Sequence, residues 1–426
     1  MSRRNGVPAA EAGAAPSSHL FERPARPLPG PRRVLQDGGG VYAANGFVGV
    51  LFAATGPVAV ILAVGAQGGL TQEELASWLF GAFFLNGLLT VIACWVYRQP
   101  LAFFWTIPGT VLVGPALGHL RWPQVVSAFF VTGLLILALG LSGWVRRTMA
   151  ILPMPIVMAM VAGVFLRFGV DLVRAVHDDV AVAAPMVVAF LLLSALPGVG
   201  RWIPPLIGAL VVGAAAVVVS GTFHPAPAAG GWIAAPVLQA PDWSLQAIVE
   251  LVIPLAITVL VVQNGQGIAV LRSAGHEPPV NAITIACGAW SLLTAAVGCV
   301  STCLTGPTNA LLTHSGKQSR HYTAGIMCGL LALVVGLLAP SFTRLMLGMP
   351  AAFIATLGGL AMLRVLQSSF VTAFNGRFTL GALITFVVTV ADVTILDIGA
   401  AFWGLLAGLA VAWLLERPDF HAGTLT

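Results

Sequence analysis

Long apolar runs dominate the chain and follow one another almost without pause from Val41 to about residue 416. A helix that crosses a bilayer needs about 20 consecutive apolar residues, and this stretch supplies many such segments. Charged residues make up 8% of the 426 positions, against about 25% in average soluble domains. Because so few charges cannot cover a water-exposed surface, we expect a polytopic, all-α membrane protein.

Division of this stretch into helix-length segments gives about fourteen predicted spans. Backbone groups in lipid must hydrogen-bond internally, so continuous apolar runs predict helices rather than a β-barrel. Two predicted spans are too short for a full helical crossing, and each contains a proline. The spans are 42–65, 75–96, 102–118, 122–144, 151–173, 181–197, 202–221, 246–271, 279–299, 303–315, 321–340, 345–366, 376–393 and 397–415.

The positions of arginine and lysine predict the orientation. Of the 20 basic residues, sixteen fall on the side of the N-terminal tail and three on the opposite side. Cytoplasmic loops of membrane proteins carry an excess of these residues, so both termini are expected in the cytoplasm, at the plasma (inner) membrane. Residues 1–40 lack an apolar period and predict a disordered cytoplasmic tail, and residues 417–426 form a second tail.

The two halves of the chain share short motifs in the same order. Leu152–Pro155 resembles Leu347–Pro350, and Thr106–Pro108 resembles Thr305–Pro307. Seven spans in each half is an odd number, so the second half must run inverted across the membrane, which is typical of transporters. The predicted divisions are a first repeat at 41–221, an extracytoplasmic loop at 222–245 and a second repeat at 246–416.

The short third and tenth spans are predicted to be broken by Pro108 and Pro307. Proline lacks a backbone donor and is favoured in the first turn of a helix, so each span should combine an extended segment with a half-helix. Unpaired N–H groups and the positive end of the helix dipole would then point toward the midplane, where they suit an anion. The alternative is that these prolines merely kink two packed helices.

Three stretches resemble the benzoate/proton symporter family: Trp105–Thr110, Val161–Asp171 and Gln263–Leu271. The family is similar in fold to nucleobase and ascorbate transporters. The resemblance implies a seven-plus-seven inverted repeat, with a core domain from spans 1–4 and 8–11 and a gate domain from spans 5–7 and 12–14. It also implies a substrate site between spans 3 and 10, faced by spans 1 and 8.

Polar residues near the predicted breaks are the candidate substrate ligands. Amides in a lipid-embedded run are costly unless bonded, so they mark either substrate contacts or hydrogen bonds between helices. The threonines could complete anion binding or cap the half-helices, and both can hold together. The candidates are Trp105, Thr106, Gly109, Thr110, Gln263, Asn264, Gly265, Gln266, Thr305, Gly306, Thr308 and Asn309.

Candidate proton relays are Glu250, Asp171 and Asp392, which lie near span ends, where a solvated position is the alternative. The histidines and cysteines show no metal-ligand spacing, and no metal or cofactor is expected.

The favoured function is proton-coupled symport of a small aromatic carboxylate such as benzoate. An uncoupled anion channel or exchanger, or a carrier of a nucleobase-like solute, is the alternative. No set of nucleophile, base and orienting residue indicates an enzyme. The expected partners are a small organic anion, a proton and the bilayer, without nucleic acid, and a homodimer is left open.

Overall fold

A computed structural model describes residues 22–145, 153–196, 205–225, 231–393, 395 and 398–421, and this part of the chain is predominantly helical. The predicted tail residues 1–21 and 422–426 lie outside the described residues.

The first half, up to residue 220, contains ten helices and one strand among its described residues. A π-helical turn, Gly81–Leu85, joins α4 to α5. The elements are α1 Pro31–Asp37, α2 Gly40–Ala54, α3 Gly56–Gln67, α4 Gln72–Phe80, α5 Asn86–Tyr97, β1 Phe103–Trp105, α6 Ile107–Ala116, α7 Trp122–Ser142, α8 Met154–Asp178, α9 Val180–Ala195 and α10 Pro205–Ser220.

The second half follows a similar order. A π-helical segment, Thr258–Asn264, continues α11 into α12, and a 3₁₀ turn, Gln318–Arg320, precedes α15. The elements are α11 Leu245–Ile257, α12 Gly265–Ser273, α13 Val280–Ala295, β2 Thr302–Leu304, α14 Gly306–Leu312, α15 His321–Leu337, α16 Ala339–Leu347, α17 Ala351–Phe374, α18 Thr379–Ala391, α19 Ala400–Leu415 and α20 Arg417–His421.

Seven helical segments of the described chain are long and apolar enough to cross a membrane, judged by length and composition. Shorter apolar helices occupy most of the other predicted spans, so the number of crossings stays a prediction. The bounds of predicted span 345–366 are wrong. Pro350 precedes the helix, and α17 then continues to Phe374. The prediction stopped too early because Arg364 interrupts the apolar run, whereas in the structure its side chain is exposed.

The predicted disorder of residues 1–40 is wrong for part of the tail. Residues 31–37 form α1, and Asp37 is only 4% exposed. The Tyr322 hydroxyl donates a hydrogen bond of 2.8 Å to the Asp37 carboxylate. Burial raises the pKa of Asp37, but the Tyr322 bond and the guanidinium groups of Arg33 and Arg320 outweigh it, so the pKa lies below its ordinary value. This cluster could not be predicted from the sequence, because Tyr322 lies far from Asp37 along the chain.

Helix packing divides the elements into two groups. The first group packs around α5, α7, α13 and α15, and the second around α8, α17, α18 and α19. Close approach in the first group depends on small residues, as is common between membrane helices. A Cβ on Gly329 would lie 2.7 Å from the carbonyl oxygen of Gly87, and one on Gly288 would lie 2.4 Å from the backbone nitrogen of Leu137.

Candidate binding site

A two-stranded ribbon joins the two halves of the chain in the interior. Strands β1 and β2 pair antiparallel, with Phe104 opposite Cys303. The backbone N–H of Thr106 donates to the Ser301 carbonyl at 3.0 Å, and that of Thr305 donates to the Ala102 carbonyl at 3.1 Å. Because the strands are antiparallel, α6 and α14 leave the ribbon from opposite ends. We call residues 103–116 the first strand–helix segment and residues 302–312 the second.

The two helices begin with different caps. The Thr106 hydroxyl accepts a hydrogen bond of 3.1 Å from the Gly109 N–H and donates one of 3.0 Å to the Thr258 hydroxyl. Thr305 occupies the equivalent position before α14, but its side chain does not cap that helix. Proline stands in the first turn of each helix, as predicted, because its missing donor would be unpaired there in any case.

A small cavity lies where the two helices begin. Its volume is about 20 Å³, which is close to the space for a single water. Residues from four parts of the chain line it, including both helix starts. The lining residues are Phe52, Ala53, Pro57, Phe104, Trp105, Ile107, Gln263, Thr305, Pro307 and Thr308. Five of them, Trp105, Gln263, Thr305, Pro307 and Thr308, are sequence-predicted residues.

One unpaired polar group and other buried polar side chains line this cavity. Trp105 is 1% exposed, and its indole Nε1 has no hydrogen-bond partner in the described part of the chain. Gln263 and Thr308 are also buried, and both line the cavity. Buried donors normally have partners, so an orphaned indole N–H at a cavity wall favours a ligand atom in another state of the molecule. Phe104 meets Trp105 edge to face, at 6.0 Å between ring centroids, and completes an aromatic wall.

The structure gives two predicted ligands, Asn264 and Asn309, a different set of contacts. The side-chain oxygen of Asn264 accepts a hydrogen bond of 2.8 Å from the Leu304 N–H, at the end of β2. That of Asn309 accepts one of 3.0 Å from the Ala102 N–H, just before β1. Both amides therefore hold the ribbon in position, and neither lines the cavity.

The other predicted residues lie around the site without facing the cavity. The Thr110 hydroxyl donates to the Thr106 carbonyl at 3.0 Å. Gln266 is exposed, and its side chain lies so close to Gly306 that a Cβ there would be 2.5 Å from it. Four further predicted residues do not line the small cavity: Thr106, Pro108, Gly109 and Gly265.

The family resemblance implied that the first span faces the site, but sequence reasoning named none of its residues. The helical run breaks at Thr55, between α2 and α3, which brings Phe52 and Pro57 to the cavity. The tripeptide Thr55-Gly56-Pro57 repeats the Thr-Gly-Pro of residues 305–307. That repeated tripeptide was an available signal, since proline inside an apolar run predicts a helix boundary.

Two larger cavities lie beside the site, between the two packing groups. Their volumes are about 270 and 430 Å³. They share five lining residues, and we call the combined space the vestibule. The shared residues are Val111, Pro115, Arg167, Asp171 and Arg174.

The three predicted relay carboxylates differ in burial. All three line the vestibule, but Glu250 is 4% exposed. Asp171 pairs with Arg174 at 3.5 Å, and Asp392 pairs with Arg167 at 3.0 Å, in both cases with partly exposed side chains. Among the described residues, no group of three or more histidine, cysteine, aspartate or glutamate side chains could hold a metal ion.

Comparison with solved structures supports the fold. The transmembrane domain of the cyanobacterial bicarbonate transporter BicA aligns with a TM-score of 0.62 at 17% identity, covering 90% of this chain and 99% of that one. Murine solute carrier 26 family member A9, an anion transporter in the inward-facing state, aligns with a TM-score of 0.61 at 14% identity, covering 98% of this chain and 77% of that one. At these identities the likeness concerns the fold alone.

Two curated relatives match most of the chain. An inner membrane protein of Escherichia coli, YdcO, is 29% identical over 375 residues, which cover 85% of this chain and 93% of the relative. The benzoate membrane transport protein of Acinetobacter baylyi is 27% identical over 381 residues, which cover 88% and 94%. The sequence model of the benzoate membrane transport protein family matches residues 40–414. This chain therefore belongs to that family and is a multi-pass membrane transporter, not an enzyme.

Proposed function

We propose that this transporter carries a small aromatic carboxylate, such as benzoate, together with a proton. The observation that carries the proposal is the cavity at the two helix starts, where an unpaired indole N–H stands beside aromatic side chains. The Acinetobacter baylyi relative is named as a benzoate membrane transport protein, which supports the same substrate class. Transport of one proton with one monoanion would be electroneutral and driven by the pH gradient.

Binding of such a ligand follows from the chemistry of the cavity wall. The Trp105 N–H and the Gln263 amide are donors suited to a carboxylate, and hydrogen bonds to charged groups contribute about 1.5–3 kcal/mol each. Phe52 and Phe104 would flank the aromatic ring, since offset and edge-to-face ring pairs are favourable. The start of α6 adds the positive end of a helix dipole.

The proposed architecture is the inverted repeat of seven and seven spans, with broken third and tenth spans. The group of helices around α5, α7, α13 and α15 corresponds to the proposed core, and the group around α8, α17, α18 and α19 to the proposed gate. Both strand–helix segments belong to the core. Movement of the core against the gate would then expose the site alternately to the two sides of the membrane.

The cavity is too small for a benzoate molecule, so the proposal requires the site to widen. The vestibule between core and gate is the adjacent open space, and Leu112 and Val164 line both the vestibule and a narrow gap that reaches Pro108. Separation of these side chains would connect the vestibule to the helix starts. We therefore assign the described arrangement to an occluded state of the transport cycle.

Uptake of labelled benzoate into proteoliposomes tests the function. A gradient from about pH 6 outside to about pH 7 inside should accumulate benzoate about tenfold, because one pH unit corresponds to a tenfold ratio. Unlabelled aromatic acids should compete, whereas acetate and uracil should not. Equal uptake with and without the gradient would contradict proton coupling, and competition by uracil alone would contradict the substrate class.

The uncoupled alternative also has an observation in its favour, because no residue that lines the small cavity is ionisable. An uncoupled anion channel would give a benzoate-evoked current that does not depend on pH, whereas a one-for-one anion exchanger would carry no current and would not respond to a pH gradient. Planar-bilayer recording distinguishes the channel from symport, since electroneutral symport carries no net current.

A further inference from the structure

Glu250 is a buried carboxylate in α11 with a histidine as its ion-pair partner. Its side chain is 5% exposed, and its Oε2 lies 2.9 Å from the Nε2 of His119. His119 follows α6, and its side chain is 25% exposed, whereas Glu250 itself lines the vestibule. Histidine is the side chain whose ordinary charge change falls between about pH 5 and 8. The pair therefore places an imidazole and a carboxylate within proton-transfer distance of each other.

The same carboxylate reaches the other packing group. The Glu250 carboxylate lies against Gly399, which is the N-cap residue of α19. The fit is close, because a Cβ on Gly399 would lie 2.6 Å from the Glu250 Oε1. Helix N-termini attract negative charge, so this contact depends on the carboxylate being ionised. One side chain thus joins α11 and α6, on the core side, to α19, on the gate side.

The other charges that face Glu250 across the vestibule have partners of their own. Arg167 pairs with Asp392, and Arg174 pairs with Asp171. Arg121, beyond His119, forms an ion pair with Asp242. In the described part of the chain, no arginine or lysine forms a salt bridge with Glu250. Its charge is therefore not held by a fixed cation, unlike those of Asp171 and Asp392.

We propose that Glu250 and His119 form the proton-binding site of this transporter, and that ionised Glu250 latches the core to the gate through its contact with the N-terminus of α19 at Gly399. The proposal rests on the proton-coupled function above. A proton held by the His119 imidazole passes to a Glu250 oxygen, which becomes a neutral carboxylic acid while the imidazole returns to its neutral form. Neutral Glu250 binds the α19 N-terminus less strongly, so proton uptake releases the core.

The latch also explains how the proton would cross. Glu250 and His119 lie on the same side of the proposed moving boundary, whereas Gly399 lies on the other. A proton on Glu250 would therefore travel with the core and with the substrate cavity. Release on the far side restores the negative charge, and return of the empty core restores the contact with Gly399.

Two transport assays on Glu250→Gln test the latch. Glutamine keeps the size and the acceptor oxygen of the side chain but cannot ionise. Accumulation driven by a pH gradient should fall about tenfold, to the level without a gradient, since the variant has no proton to carry. Exchange of internal for external benzoate at equal pH should fall by less than about threefold, because exchange needs no net proton transfer. Glu73→Gln, an exposed carboxylate in α4, is the matched control.

His119→Gln provides a second, independent variant. It should shift the pH dependence of benzoate uptake, because Glu250 loses the imidazole that delivers its proton. If Glu250→Gln does not elute as a folded protein, this variant decides the proposal. Wild-type pH dependence in His119→Gln, or wild-type accumulation in Glu250→Gln, overturns the proposal.

Infrared difference spectra between acid and neutral pH separate this inference from the proposed function. Wild-type protein in detergent should show a protonated carboxyl band that Glu250→Gln lacks. This readout needs no substrate. If no aromatic acid is transported but the band disappears in the variant, the substrate assignment fails and the proton site stands. If the band persists in Glu250→Gln, the proton site is wrong whatever the substrate.

Discussion

The two strand–helix segments share one backbone plan but differ in their polar chemistry. In the first, α6 spans ten residues, its N-terminus is capped by Thr106, and the indole of Trp105 precedes it. In the second, α14 spans seven residues, no side chain caps it, and Leu304 precedes it. Both segments therefore have a strand followed by a helix with proline in its first turn, while the unpaired indole donor at the cavity belongs to the first segment alone.

A further difference lies one turn into each helix. Thr110 and Asn309 occupy matching positions of the proposed repeat, and each donates a side-chain hydrogen bond to the carbonyl of the threonine four residues earlier. Asn309 additionally accepts the Ala102 N–H, which ties the second helix to the first strand. Asn264, also in the second half, supports β2 through the Leu304 N–H. The comparison teaches that two asparagines of the second half hold the ribbon, while the unpaired indole at the cavity belongs to Trp105 of the first half.

The largest expected effect is loss of stability in Asn264→Ala and Asn309→Ala. Each substitution leaves a buried strand N–H without a partner, at a cost of about 2 kcal/mol. Thermal unfolding of the purified protein in detergent should show a lower melting temperature for both variants. Gln266→Ala, at an exposed side chain in the same region, is the control. If both variants keep the wild-type melting temperature but lose uptake, the two asparagines contact the ligand directly and do not act by supporting the ribbon.

Trp105→Phe should weaken benzoate uptake with little change in stability. Phenylalanine keeps an aromatic wall but removes the N–H, and loss of about 1.4 kcal/mol from the complex corresponds to about tenfold weaker binding. Trp78→Phe is a matched control, because Trp78 is also buried with an unpaired indole nitrogen but does not line the cavity. Equal effects of the two substitutions would mean that the indole N–H of Trp105 does not contact the substrate.

The smallest expected effect distinguishes the two helix caps. Thr106→Ala removes a side-chain cap and should lower the free energy of unfolding by about 1 kcal/mol. Thr305→Ala removes no cap and should lower it by only a few tenths of a kcal/mol. Unfolding midpoints of the two variants under the same conditions make the comparison. If Thr305→Ala is the more destabilising, the asymmetry described for the two caps does not hold in the membrane protein as purified.

The helical fold was predictable because apolar runs of bilayer length leave the backbone few alternatives. The breaks at Pro108 and Pro307 could be predicted from the same physics, since proline marks a helix start regardless of tertiary contacts. The bounds of α17 could not be predicted, because the exposure of Arg364 depends on where neighbouring helices end. Helix α1 was missed since its buried Asp37 depends on Tyr322, and no local pattern reports such a partner.

The candidate site was predictable by region but not by side-chain direction. The run from Gln263 to Gln266 contains three amides, of which one lines the cavity, one supports β2 and one is exposed. The π-helical segment that ends at Asn264 changes the direction of successive side chains, so ordinary helical spacing does not separate them. The contribution of Phe52 required recognition of a break in the first span.

The narrowness of the cavity has a consequence for any affinity measured on this protein. A ligand larger than water binds a conformation that the empty molecule populates only in part, and the observed dissociation constant is weakened by that fraction. If one molecule in about a hundred is widened, an intrinsically micromolar ligand titrates as about a hundred times weaker. The dissociation constant of each aromatic acid will therefore include two free energies. One is the cost of opening the cavity for its ring, and the other is the gain from its contacts with the cavity wall.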